Sequence, residues 1–274
     1  MENLRPILLS TCLLAPLFGG LATTSAEADS FSNVAQIEII PGWKTPHGTH
    51  MAGLRVTLQP GWKTYWRSPG DAGIPPQFSW AGSENLTGAE FHWPVPDLLP
   101  HSSVVTIGYK DSLVLPIELS PATAGEPISV SGEIHFGVCQ DICLPVNLPF
   151  SAELPLEGKR DGAIVASLLN QPLSADEAGV TSAQCKITPL EDGLQVTATV
   201  SMPSAGQSEN VIIEAGNPEI WVSPTDVSRV GDQLHATADM IHITDSSFAL
   251  DRSAMRITVL GSDHAVDLLG CMAG

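Results

Sequence analysis

Apolar and polar residues alternate along most of this chain in short runs, the pattern of strands with one buried face. The clearest run is Met51–Leu58, where Ala52, Leu54, Val56 and Leu58 interleave with Met51, Gly53, Arg55 and Thr57. Val34–Ile40 alternates partly and is expected to stop at Pro41-Gly42, and Pro60-Gly61 marks a turn before the aromatic run Trp62–Trp66. Further strands are predicted at Gln77–Ala81, Ala89–Trp93, Val104–Ile107, Leu113–Leu119, Ile128–Phe136 and Val146–Leu154. One short segment changes period. In Ala163–Asn170 the residues Ile164, Val165, Leu168 and Leu169 share a helical face, and Pro172 ends it. Strands resume at Thr181–Thr188, Leu194–Val200, Val211–Glu214, Ile220–Ser223, Gln233–Met240, Met255–Leu260 and Ala265–Leu269. Gly and Pro breakers recur every ~8–12 residues, which suits β-sandwiches. The chain therefore reads as all-β. A sandwich over 29–157 and a second over 180–274 are joined by a linker, 158–179, that holds the short helix.

Composition narrows the function. The 274 residues include 24 Gly and 22 Pro, which argues against a helical bundle, and 43% are hydrophobic, enough for a folded core. The formal charge is −18. That excludes the basic surfaces that nucleic acids and anionic membranes require. Residues 1–28 read as a secretory signal peptide: an apolar run from Ile7 to Ala22, then small residues ending in Ala26-Glu27-Ala28, with cleavage expected after Ala28. The run is too short for a bilayer span and contains Pro16. Export, no stable membrane insertion and an oxidising compartment follow as expectations.

Export changes how the cysteines read. Cys12 lies in the leader, leaving Cys139, Cys143, Cys185 and Cys271. Four cysteines allow three pairings; the economical one is Cys139–Cys143 with Cys185–Cys271. The second bond closes a long loop, worth roughly 4–5 kcal/mol in the chain-entropy model, and reads as a structural staple. The first closes so short a loop that it stabilises little, and weakly stabilising, exposed or strained bonds are the exchanging kind. Asp141 between the thiols disfavours a thiolate, and Lys110 and Arg67 are distant in sequence, so ordinary thiol pKa values are expected. An inert hairpin bond and a metal-binding pair remain the alternatives for Cys139 and Cys143.

The stretch Pro60-Gly61-Trp62-Lys63-Thr64-Tyr65-Trp66-Arg67-Ser68-Pro69-Gly70-Asp71-Ala72-Gly73-Ile74-Pro75 resembles a signature of the N-terminal periplasmic domain of the DsbD and ScsB-like thiol:disulfide interchange family. Phe91-His92-Trp93-Pro94-Val95-Pro96, Gly108-Tyr109-Lys110-Asp111, Leu115-Pro116-Ile117 and Val138–Val146 follow in the family's order. The resemblance covers about residues 34–155 and is weaker in the second half. It implies immunoglobulin-like folds and a redox pair that takes electrons from a membrane-embedded donor of the DsbD, ScsB or CcdA type. The clients it implies are oxidised periplasmic thioredoxin-fold proteins. It further implies that Cys143 forms mixed disulfides and Cys139 resolves them, that no cofactor beyond the disulfide is needed, and that a cap loop shields the pair. Trp93–Pro100 occupies the cap's place, with Trp93, Asp97, Leu98 and Leu99 as its shielding residues. The C-x3-C spacing is shorter than in the best-known members, and no membrane part or thioredoxin-like domain follows, so a separately encoded carrier is expected.

Other residues bear on the site and on the function class. Trp62, Tyr65, Trp66 and Asp71 are candidates to line the redox site, although an aromatic strand more often packs a core. His47, His50 and Met51 lie close together and suggest copper binding, a second function class in which Cys139 and Cys143 would also serve. A third class is a non-catalytic interaction module with two structural disulfides.

Overall fold

The computed structural model describes residues 34–70, 72–101, 104–244 and 246–274. The expected leader, residues 1–28, and Asp71 lie outside these. Among the described residues the first part of the chain forms β1 (Ala35–Lys44), β2 (His50–Leu58), β3 (Lys63–Tyr65), β4 (Gln77–Ser79), β5 (Leu86–Phe91), β6 (Asp97–His101), β7 (Val104–Lys110), β8 (Ser112–Pro121), β9 (Ile128–Cys139) and β10 (Cys143–Leu154). Their antiparallel pairing gives a sheet ordered β1-β2-β8-β5 and a sheet ordered β10-β9-β3-β7-β6, with β4 also on β9. The alternation in the sequence maps onto the space between them. Leu54, Val56, Leu115 and Ile117 from one sheet meet Trp66, Val130, Ile134, Phe136 and Val138 from the other in one buried cluster.

Helix α1 (Gly162–Leu169) follows, capped by Asp161, whose carboxylate accepts from the Ala163 and Ile164 amides. Ile164 is wholly buried against Ile40 and Met51, with Leu168 beside it. Leu169, expected on the same face, is exposed. The expected linker is docked along its length. Lys159 N–H donates to Gly42 O, Val95 N–H donates to Asn170 O, and Leu173 exchanges backbone bonds with Ala265 and Asp267.

The remaining strands are β11 (Ser182–Pro189), β12 (Leu194–Ser201), β13 (Asn210–Glu214), β14 (Ile220–Val222), β15 (Asp226–Val230), β16 (Gln233–His242), β17 (Arg256–Leu260), β18 (Ala265–Leu269) and β19 (Met272–Ala273). They form a sheet ordered β14-β16-β12-β11-β19, with β15 also on β16, and a sheet ordered β13-β17-β18. A second apolar cluster, containing Val196, Ala198, Met240, Ile257 and Val259, fills the space between them. The fold is all-β and immunoglobulin-like, two sandwiches with a short helix between.

Four elements depart from the sequence reading. β1 runs through Pro41-Gly42 because a bulge between Ile40 and Trp43 absorbs them, with Gly42 at φ 66°. β6 contains Pro100, which is tolerated because β6 is the edge of its sheet. β15 half-buries one face, Val227 and Arg229, and exposes Asp226, Ser228 and Val230, so only Val227 marks its inner side as apolar. β19 is a two-residue parallel addition beside Cys185.

His50 gives the first half a pH dependence. Its Nε2–H donates to Pro41 O at 2.6 Å. Burial pulls the imidazole pKa below its usual 6.5, against the weaker opposing effect of that hydrogen bond. The unfolded chain therefore binds a proton that the folded chain refuses, and stability falls as pH drops from about 6.5 to the lower folded-state value. Urea midpoints at pH 7.5 and 5.5 check this, both pH values being chosen to bracket the ordinary histidine range of about 6.5. The loss on acidification is expected to be smaller in His50→Gln than in the parent.

Candidate functional site: a half-buried disulfide at a hairpin end

β9 sends its even-numbered residues into the core, Ile134, Phe136 and Val138 among them, and its odd-numbered residues to the outer face. Gly137 and Cys139 lie on that outer face. β9 and β10 are joined by the exposed Gln140-Asp141-Ile142, and the register sets Cys139 directly opposite Cys143. Their Cα atoms are 4.1 Å apart and the two sulfurs are bonded. The pair is unequal: Cys139 is 0% exposed, whereas Cys143 is exposed. The residue open to solvent is Cys143, and the one closed off is Cys139.

β3 runs beside β9 and follows the same alternation. Thr64 and Trp66 face inward, while Lys63 and Tyr65 share the cysteine face. The Thr64 hydroxyl donates to Gly137 O at 2.9 Å, tying the two strands at this level. The Tyr65 hydroxyl lies 3.1 Å from Cys143 Sγ. A bridged sulfur carries no proton, so the tyrosine is the donor. Burial raises the Tyr65 pKa, which keeps that proton in place. The ring lies in a slot walled by two glycines. A Cβ on Gly137 would come within 2.7 Å of Tyr65 Cε2 and 2.8 Å of Ile74 Cβ, and one on Gly73 within 2.9 Å of Tyr65 Cδ1.

Positive charge is close by, contrary to the reading from sequence distance. Lys63 is directly opposite Cys139 on one side and Lys110 on the other. Lys63 is only 8% exposed, and its ammonium pKa is pulled down by burial and then by Lys110. Arg67 is turned elsewhere. Its guanidinium stacks 4.0 Å over Trp66 and bonds Glu214, Thr258 and Asp267 of the second sandwich.

The other sequence candidates divide. Of the aromatic run, Tyr65 reaches the disulfide, Trp66 is wholly buried in the core, and Trp62 packs on the core from a partly exposed position. The four expected cap residues divide between the two faces of their sheet. Trp93 joins the core beside Phe91, and Leu98, opposite Ile107, packs on the same core. The Pro94 carbonyl is taken by the Tyr109 hydroxyl at 2.8 Å. Asp97, exposed, and Leu99, buried, are on the cysteine face by register, but on the edge strand two strands beyond β3. Trp93 and Leu98 are therefore turned to the core, away from the cysteine face, and the Tyr109 bond holds this segment. The histidine–methionine group does not converge either: His50 is committed to Pro41, and Met51 is buried against Ile164. Among the described residues no three His, Cys, Asp or Glu side chains gather as a metal site.

The second bond has a different setting. Cys185 is wholly buried in the core of the second sandwich, and its Cα lies 5.7 Å from that of Cys271. The β11–β19 pairing holds the two segments together.

Residues 36–155 match the family described as Thiol:disulfide interchange protein DsbD, N-terminal. This segment, somewhat under half of the chain, is similar to the DsbD N-terminal family. The matched segment coincides with the first sandwich, β1 to β10, and includes the Cys139–Cys143 hairpin. Among solved structures, the N-terminal periplasmic domain of ScsB from Proteus mirabilis is similar with a TM-score of 0.68 at 21% identity, over 89% of this chain and 96% of that one. The shared fold thus extends beyond the DsbD segment into the second sandwich. No curated protein sequence matches the chain.

Sequence reasoning passed over Lys63 and the two glycines. The alternation in Trp62-Lys63-Thr64-Tyr65-Trp66 was the available signal. Once Trp62 and Trp66 are placed in the core, Lys63 and Tyr65 fall on the opposite face together.

Proposed function

We propose that this protein is an exported, periplasmic thiol–disulfide relay. It takes electrons from a membrane-embedded dithiol donor of the DsbD, ScsB or CcdA type and passes them to oxidised thioredoxin-fold clients. The observation that carries this reading is the unequal exposure of the pair, one cysteine exposed and its partner wholly buried. The donor thiolate attacks Cys143, the S–S bond breaks, and Cys139 leaves as a thiolate. The donor's second thiol then displaces Cys143 and completes a two-electron transfer. In the forward half, Cys143 attacks the client disulfide and Cys139 resolves the mixed disulfide. The Tyr65 hydroxyl serves the Cys143 sulfur in both halves, since a hydrogen bond to a thiolate favours it. No cofactor enters the scheme. The domain division follows the same logic, with exchange in residues 29–157 and the second sandwich, 180–274, stapled by Cys185–Cys271.

Trapping tests the order of attack. Cys139→Ser is expected to accumulate mixed disulfides through Cys143, with glutathione as the simplest partner, because nothing remains to resolve them. Cys143→Ser is expected to accumulate few, its remaining thiol being buried. Equal trapping by both variants would remove the assignment.

A further inference from the structure

Opening the disulfide creates an anion where the surroundings disfavour one. When a donor thiolate attacks Cys143, a new S–S bond forms to the donor, and the electron pair of the broken bond leaves on Cys139. That sulfur is wholly buried. A buried charge without a partner is expensive, and the leaving thiol's pKa governs how fast it departs.

The sheet supplies a partner. Lys63 is the direct cross-strand neighbour of Cys139 on the same face. Such neighbours have Cβ atoms ~4.5–5.5 Å apart. Lys63 is nearly buried, and among the described residues no carboxylate pairs with it. In the oxidised protein it faces a neutral disulfide on one side and a second cation, Lys110, on the other. The remaining groups around it do not neutralise it. Tyr65 on its own strand is held protonated by burial. The Asp111 carboxylate is taken up by the Gly61 amide at 3.0 Å. Asp141 is exposed at the hairpin tip, and Asp97 is on the edge strand, two strands beyond β3.

We propose that Lys63 is the countercharge that receives the Cys139 thiolate, so that the bond opens with Cys143 attacked and Cys139 leaving. The inference rests on the relay reading and adds to it what fixes the polarity of the exchange. Lys110, exposed on the next strand, keeps Lys63 from being satisfied in the oxidised state and adds a second positive charge once the anion forms.

The test uses the full chain and a small dithiol, so no partner protein enters. Ultraviolet thiolate absorbance against pH, in a Cys143→Ser background with Cys185–Cys271 intact, reports the Cys139 titration. Lys63→Met is expected to raise its midpoint by about one pH unit. In the otherwise native chain the same change is expected to slow opening of Cys139–Cys143 by dithiothreitol roughly three- to fivefold, since the rate follows the leaving thiol's pKa only fractionally. Lys63→Arg should hold both within about twofold, since it keeps the charge. Lys63→Gln gives the same reading if the methionine variant folds poorly, and the thermal midpoint separates folding from chemistry. A midpoint and a rate that do not move in either neutral variant would overturn the proposal. Failure of the relay itself looks different: the wild type would not exchange with thioredoxin-fold proteins, while the Lys63 dependence toward dithiothreitol persisted.

Discussion

Arg67→Ala is expected to lower stability by roughly 2–4 kcal/mol and to loosen the first sandwich from the second. The guanidinium is largely buried. It bonds both Glu214 oxygens at 3.1 and 3.2 Å and reaches Thr258 and Asp267 at 3.2 Å each. Asp267 keeps Arg256 at 3.0 Å when Arg67 is removed, but Glu214 is left partly buried without this partner. The stack on Trp66 is lost as well, and it backs a ring buried in the first core. Arg67→Lys should recover little, because a lysine cannot offer the planar fork that spans Glu214 and Asp267. Urea unfolding followed by tryptophan fluorescence checks this. The parent is expected to unfold in one transition, and the alanine variant at a lower midpoint with the transition broadened or split. An unchanged midpoint would show that the halves do not depend on this contact.

The second large effect is at Gly137. Its alanine variant puts a methyl group within 2.7 Å of the Tyr65 ring and 2.8 Å of Ile74, with Gly73 closing the other side of the slot. The ring has no room to retreat, so a cost of about 1–3 kcal/mol is expected, and more for valine. The ring shift also takes the Tyr65 hydroxyl away from Cys143. Tyr65→Phe separates the two consequences: it leaves the slot filled and removes only the 3.1 Å hydrogen bond. Both Gly137→Ala and Tyr65→Phe are expected to raise the Cys143 thiol pKa in the reduced protein. Only Gly137→Ala should lower the thermal midpoint strongly. If Tyr65→Phe leaves the thiol titration where it was, the hydroxyl plays no part in the exchange.

Much of this architecture is legible in the sequence because the sandwiches bury alternate residues, and runs such as Ala52-Gly53-Leu54-Arg55-Val56 state that directly. What escaped was written in other terms. β6 hid behind Pro100, whose place on an edge strand is a property of the sheet order. β15 hid because its inner face pairs Val227 with a charged Arg229 while Val230 is exposed, and β19 because it is held by its neighbour Cys185 rather than by its own residues. The disulfides could be paired from spacing and economy. The difference between Cys139 and Cys143 could not, since both stand on the same outer face and only the surrounding segments decide which sulfur meets solvent. Lys63 is the same kind of case: distant from Cys139 in the chain, it becomes its direct neighbour only through the β3–β9 register. Trp93 and Leu98 were misread as shielding residues because they look like spare apolar surface in a proline-rich stretch, whereas the core takes them up.

On the relay reading, the two disulfides of this chain have opposite characters. The direct measurement is a redox titration of the full chain against glutathione, with each cysteine assigned by mass spectrometry of its alkylated peptide. Cys139–Cys143 is expected to open reversibly at a potential well above the roughly −300 mV typical of structural bonds, while Cys185–Cys271 stays closed throughout. Equal resistance of the two bonds would contradict the relay, and the chain would then be a disulfide-stapled binding protein.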